Sequence, residues 1–164
     1  MAFDTFLELA GIEGESTAKG FEKKIEIYSF SWGASNPSSI GSGSSGLSAG
    51  KVSISSFNIM KKSDMASAKL FQRCCEGQHI ATAKVTMRKA GGEAGQQIFL
   101  TYEFTSCMVD SIQWSGSSGG DDTPTESLSL AFGAVKVTYF KQDAKGKMSK
   151  AGEGAWDLTK VSSK

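Results

Sequence analysis

TESLSLAFGAVKVTYF, residues 125–140, decides the fold class. Leu128, Leu130 and Phe132 recur at every second position, and Val135, Val137 and Tyr139 do so after them. Successive side chains of an extended chain point to opposite faces, so a period of two marks strands with one buried and one wetter face. The alternation continues outward. Downstream it ends in a short strand near residues 155–158. Upstream lie MVDSIQW and QIFLTYEFTS, and then HIATAKVTMRK at 79–89, where Ala81, Ala83, Val85 and Met87 alternate with Thr82, Lys84, Thr86 and Arg88. AGGEAGQ joins the last two as a loose hairpin. The sequence leaves open whether the Thr82-to-Arg88 face meets a water-filled lumen or outside solvent.

Further upstream, KVSISSFNIMK resumes the alternation through Val52, Ile54, Phe57 and Ile59. KKIEIYSFSW at 23–32 sets Ile25, Ile27, Ser29 and Ser31 against Glu26, Tyr28, Phe30 and Trp32. Apolar residues on both faces imply that one meets the core and the other a partner. At the N-terminus, Phe3, Thr5, Leu7 and Leu9 alternate before turns at Gly11 and Gly14. One segment departs from this pattern. SDMASAKLFQRCCEG, 63–77, repeats apolar residues at Ala66, Leu70 and Cys74 and at Phe71 and Cys75, the spacing of a helix face; Ser63 or Asp64 can cap its start and Gly77 its end. The expectation is one mainly β domain over 1–164, a two-sheet barrel or sandwich of seven to nine antiparallel strands with a single helix over an open end or seam. No internal repeat of 20–50 residues is present.

The 164 residues carry 18 Lys and Arg against 17 Asp and Glu, a net charge of +1. That balance offers no electrostatic reason for a nucleic-acid partner or an anionic membrane. The first 20 residues hold acids at Asp4 and Glu8 and no unbroken apolar run, so no cleavable secretory signal is read there. Three cysteines, two of them adjacent, make no disulfide framework and fit synthesis and folding in a reducing cytoplasm.

Several motifs invite chemistry. GSGSSGLSAGK, 41–51, contains a literal G-x-G-x-x-G at Gly41, Gly43 and Gly46 and ends in Gly50 and Lys51. A dinucleotide fingerprint needs a helix after it, and here a strand follows; a phosphate loop needs a hydroxyl after the lysine, and here stands Val52. With 12 of the 18 residues from 33 to 50 being Gly or Ser, composition accounts for the match. Cys74, Cys75 and the sole histidine, His79, are neighbours in sequence, but adjacent helical positions lie about 100° apart and cannot converge on one ion. The cysteines read as small buried residues of the helix stripe. Asp121, Asp122 and Glu126 resemble an acid pair for glycoside chemistry, yet read better as a solvated turn with strand-start capping. Trp32, Trp114 and Trp156 sit near strand ends, where core or seam packing outweighs a sugar platform. No enzyme, cofactor or metal is expected. The loop at 33–50 is the anomaly: loops of this length in compact domains are usually functional or disordered, and it can reach about 30 Å, far enough to touch a neighbouring subunit. Ile40 and Leu47 are its only large apolar residues and look like docking anchors.

AFDTFLEL and GIEGES at 2–16, SFSWGAS at 29–35 with the Gly/Ser loop after it, the helix ending CCEG, KVTMRKAGGE at 84–93 and TPTESLSLAFGAVKVTYF at 123–140 occur in one order over nearly the whole chain. In this the sequence resembles the haemolysin-coregulated proteins (Hcp), tube subunits of the bacterial type VI secretion system. The resemblance implies a two-sheet β-barrel with one helix, assembled as a homohexameric ring. Such rings stack into a tube inside a contractile sheath, are capped by a VgrG-type spike and are ejected when the sheath contracts, with small effector proteins in the lumen. It implies export without a cleavable leader and no membrane insertion. It places Ser31, and by parity Ser29, on the lumen side in contact with effectors. The loop, including Ile40, Gly41, Gly43, Gly46, Leu47 and Lys51, would contact neighbouring subunits and rings. The competing expectation is a monomeric β-barrel module that binds a carbohydrate or other small ligand.

Overall fold

The computed structural model describes residues 3–39, 48–90, 95–120 and 122–163. The strands are β1 (Asp4–Leu9), β2 (Ile25–Glu26), β3 (Ser29–Ser31), β4 (Ala34–Ser35), β5 (Ser38–Ser39), β6 (Ser48–Ala49), β7 (Ser53–Ile54), β8 (Phe57–Lys62), β9 (Ile80–Ala90), β10 (Gln96–Ser115), β11 (Thr125–Ala131), β12 (Ala134–Gln142) and β13 (Met148–Asp157). A single helix, α1 (Ser67–Glu76), lies between β8 and β9. Nine of the strands form one hydrogen-bonded sheet, seven along a path from β2 to β3 with β12 and β13 branching from β10, and the other four form two small ribbons, β4 with β7 and β5 with β6.

That sheet folds into two antiparallel layers. One, labelled outer, runs β2, β1, β9, the first half of β10, β12 and β13; the other, labelled inner, runs the second half of β10, β11, β8 and β3. The path ends at β2 and β3 rather than closing, so among the described residues the fold is a sandwich and not a sealed barrel. QIFLTYEFTS and MVDSIQW read as two strands, but they are one. Ser106 takes a left-handed φ of 54°, and the register with β11 slips between Val109 and Ser111. The chain bends there without losing its partners, which carries it from layer to layer. The last strand is likewise longer than its sequence suggests, because the glycines and charges of 148–154 hide the alternation.

Alternating residues of both layers meet in the core: Leu7, Ile25, Val85 and Phe104 from one, Phe57, Ile59, Leu128 and Leu130 from the other, each 2% exposed or less. Trp32 fills one end, edge-on to Tyr102 at 5.2 Å and to Phe104 at 5.7 Å. The reading of 23–32 as one strand with two apolar faces is corrected here. Ile25 and Ile27 belong to the outer layer and Phe30 and Trp32 to the inner; the chain crosses between them at exposed Tyr28 and flips its parity. Both apolar sets therefore meet the same core, and no partner is needed to cover them.

Helix α1 rests on β10 by a narrow stripe. Ala66 and Leu70 are fully buried and Cys74 packs against the core, while Phe71 is 50% exposed and Cys75 is exposed. The expectation of two buried cysteines thus holds only in part, since two helical neighbours cannot share one stripe. Asp64 organises the turn before the helix instead of capping it: its Oδ1 accepts the N–H of Ala66 at 2.9 Å, and the Ser67 hydroxyl accepts the N–H of Asp64 at 2.9 Å. Gly77 ends the helix in the left-handed conformation, φ 62°, as its sequence position predicts.

The Gly/Ser segment begins as paired chain. Ala34 and Ser35 pair with Ile54 and Ser53, and Ser38 and Ser39 with Ala49 and Ser48. The N–H of Gly50 donates to the carbonyl of Pro37 at 2.8 Å, and that of Ser55 to the carbonyl of Gly33 at 2.9 Å. A two-stranded arm thus leaves the inner layer directly after β3.

Candidate functional site

β3, β8, β11 and the second half of β10 place two cross-strand rows on the outward face of the inner layer. Ser31, Asn58, Ser129 and Ser111 stand opposite one another in register; so do Ser29, Met60, Ser127 and Gln113. The sequence folds this way because Phe30, Phe57, Ile59, Leu128 and Leu130 take the inward parity and leave the hydroxyl and amide residues outside. These two rows line a depression of about 390 Å³. Neither row contains a formal charge. The nearest charges lie at the margins, where Asp110 accepts the Ser56 hydroxyl at 2.8 Å and the Lys62 ammonium sits 5.7 Å from the Tyr28 ring centroid. Met60, 45% exposed, is the one apolar side chain in the rows. A face of hydroxyls, amides and one thioether supplies hydrogen-bond donors and acceptors and no group that titrates near neutrality. Its chemistry is that of hydrogen-bonded and van der Waals contact.

Ser29 and Ser31 are exposed in adjacent rows, as parity predicts. Lys51 is exposed at the foot of the arm. Ile40, Gly41, Gly43, Gly46 and Leu47 lie outside the described residues, as does Asp121. Sequence reasoning missed Asn58, Met60, Ser111, Gln113, Ser127 and Ser129; the available signal was the serine parity of ESLSL and of DSIQW, which needed strand pairing to become a surface.

The remaining chemical candidates do not converge. His79 is exposed beyond the helix. Among the described residues no three of His, Cys, Asp and Glu are grouped to hold a metal. Burial pushes the Cys107 thiol up to about 11, with a partial offset from the backbone at Ala83, so it is a poor nucleophile. The tryptophans occupy two environments: Trp32 and Trp156 are partly buried and packed against the core, and Trp114 is 44% exposed with its ring 5.7 Å from Phe71. Asp122 is exposed, but Glu126 is no solvated cap. It is fully buried, its Oε1 accepts the Trp114 indole N–H at 2.6 Å, and its Oε2 lies 2.7 Å from the equally buried Lys61 ammonium. No described helix is long and apolar enough to cross a membrane.

Residues 6–139 match the family model described as "Type VI secretion system effector, Hcp". The chain belongs to the Hcp family. It is 37% identical over 146 residues to protein hcp1 of Pseudomonas aeruginosa, covering 89% of this chain and 88% of the relative. A solved structure of a type six secretion system protein matches with a TM-score of 0.92 at 36% identity, covering 99% of this chain and 100% of that one. Hcp1 from Salmonella typhimurium matches with a TM-score of 0.79 at 31% identity, with both chains fully covered. As an Hcp, the chain is a type VI secretion protein with a mainly β fold and one helix.

Proposed function

We propose that six copies close into a ring, that rings stack into a tube, and that the serine face of the inner layer lines its lumen. The single observation that carries this reading is the uncharged double row at Ser29 and Ser31. A channel wall that must hold cargo yet release it benefits from many weak, sequence-tolerant contacts and no buried ion pairs. The tube is a non-enzymatic carrier and needs no cofactor. It travels inside a contractile sheath behind a VgrG-type spike, holds small effector proteins in its lumen, and leaves the cell that makes it. The arm from Ala34 to Ile54, with Ile40, Gly41, Gly43, Gly46 and Leu47 at its centre and Lys51 at its foot, reaches the next subunit or ring. Ring closure requires two different surfaces that meet head to tail, and the arm supplies one of them. Negative-stain electron microscopy of the purified chain tests the reading: six-fold rings with a central hole are expected, and a sample that stays monomeric at high concentration would sink it.

A further inference from the structure

The outward face of the other layer, on the opposite side of the sandwich from the serine rows, carries a groove of about 920 Å³. Thr101 and Thr138, opposite each other on β10 and β12, form its floor and are each 6% exposed although they point away from the core. Ile98, Phe140 and Met148 supply apolar surface along one side, and Lys84, Glu103 and Lys136 line the other. The tight turn between β12 and β13 adds Lys145 and Lys147 at the rim; its shape is fixed by Asp143, whose Oδ1 accepts both of their N–H groups at 2.9 Å.

Five lysines line the groove against two glutamates, and both glutamates are occupied: Glu103 pairs with Lys136 at 2.9 Å and Glu153 with Lys150. Lys84, Lys145 and Lys147 have no carboxylate within ion-pair distance among the described residues. Gln97 also lines the groove, and its side-chain oxygen is buried without a donor among the described residues. A buried acceptor with no partner costs free energy until a donor reaches it.

We propose that this groove binds an acidic, amphipathic peptide segment of a partner protein. Carboxylates on the segment meet the three unpaired lysines, an apolar side chain covers Ile98, Phe140 and Met148, and a backbone N–H reaches Gln97. A DNA phosphodiester backbone offers the lysines acceptors but has no N–H or O–H for Gln97, and inorganic phosphate leaves the apolar side wet, so the combination favours a peptide. The proposal does not depend on the tube reading, since the groove lies within one chain.

The test uses the full chain and a fluorescein-labelled peptide of alternating glutamate and leucine, read by fluorescence anisotropy. Binding is expected to weaken as salt rises and to fall about tenfold or more in Lys84→Glu/Lys147→Glu, because the two lysines contribute charge from the side and the rim of the groove. The same variant is checked for an unchanged circular dichroism spectrum, and the salt titration of the unaltered chain gives an independent reading should it fail to fold. Absent binding, equal binding of a glutamine-for-glutamate peptide, or displacement of the acidic peptide by inorganic phosphate or oligothymidylate at matched charge would each overturn the proposal.

Discussion

Lys61 carries its ammonium into the interior, where an ammonium can donate only three hydrogen bonds. All three are aligned: to the carbonyl of Lys62 and to Asp64 Oδ1, each at 2.9 Å, and to the Ser67 hydroxyl at 3.4 Å. Glu126 Oε2 is the fourth neighbour, close but outside hydrogen-bond alignment, so charge holds it there more than geometry. Burial alone would raise the Glu126 pKa. Lys61, Ser67 and Trp114 together outweigh burial and hold it below the ordinary value of 4.5. A carboxyl lowered in the folded state contributes stability that is present above that ordinary value and lost as pH falls through the folded one. Glu126→Gln should flatten the acid side of a stability profile measured by chemical denaturation at stepped pH. Removing one partner of a buried pair leaves an uncompensated charge, so Lys61→Met alone should cost about 3 kcal/mol or more, while Lys61→Met with Glu126→Leu should restore much of the loss. If the double variant is no better than the single one, the pair is not the source of the cost.

Elements were legible where their periods were clean. Helix α1 shows its stripe at Ala66, Leu70 and Cys74 and its stop at Gly77, whose N–H lies over the carbonyls of Arg73 and Cys74. A methyl group there would meet only Met108 at 3.8 Å, an ordinary contact, so Gly77→Ala isolates the cost of a left-handed backbone. A loss of about 1 kcal/mol is expected in urea unfolding, with Gly77→Asn recovering part of it. The strands of 57–62 and 125–131 were equally legible, and so in principle was the buried pair: Lys61 continues the inward parity of Phe57 and Ile59, Glu126 that of Leu128 and Leu130, and the two stand opposite in register. Parity marks an inward residue, but only strand pairing shows that two of opposite charge meet. The same gap hid the serine rows, which draw on four strands from three parts of the sequence. β10 reads as two strands in the sequence because a single left-handed residue, Ser106, can bend a strand without leaving any compositional trace.

At the scale of the whole molecule, the order of the motifs along the chain is enough to place it among the Hcp proteins, while of its surfaces only the shared face of Ser29 and Ser31 is readable. The sandwich core does not draw on the arm, whose described strands pair only with each other or with β7. Deleting part of 38–48 should therefore leave the melting temperature of the domain within a few degrees while reducing rings and tubes in electron micrographs. Tubes of undiminished length in the shortened chain would remove the arm from assembly.

β10 has a mechanical consequence. Layers that touch through side chains are held together by close packing and its many small dispersion contacts. Here one uninterrupted backbone from Gln96 to Ser115 is a member of both layers, hydrogen-bonded to β9 and β12 on one side of its bend and to β11 on the other. The lysine-lined surface is thus tied to the serine rows through peptide bonds as well as through side-chain packing.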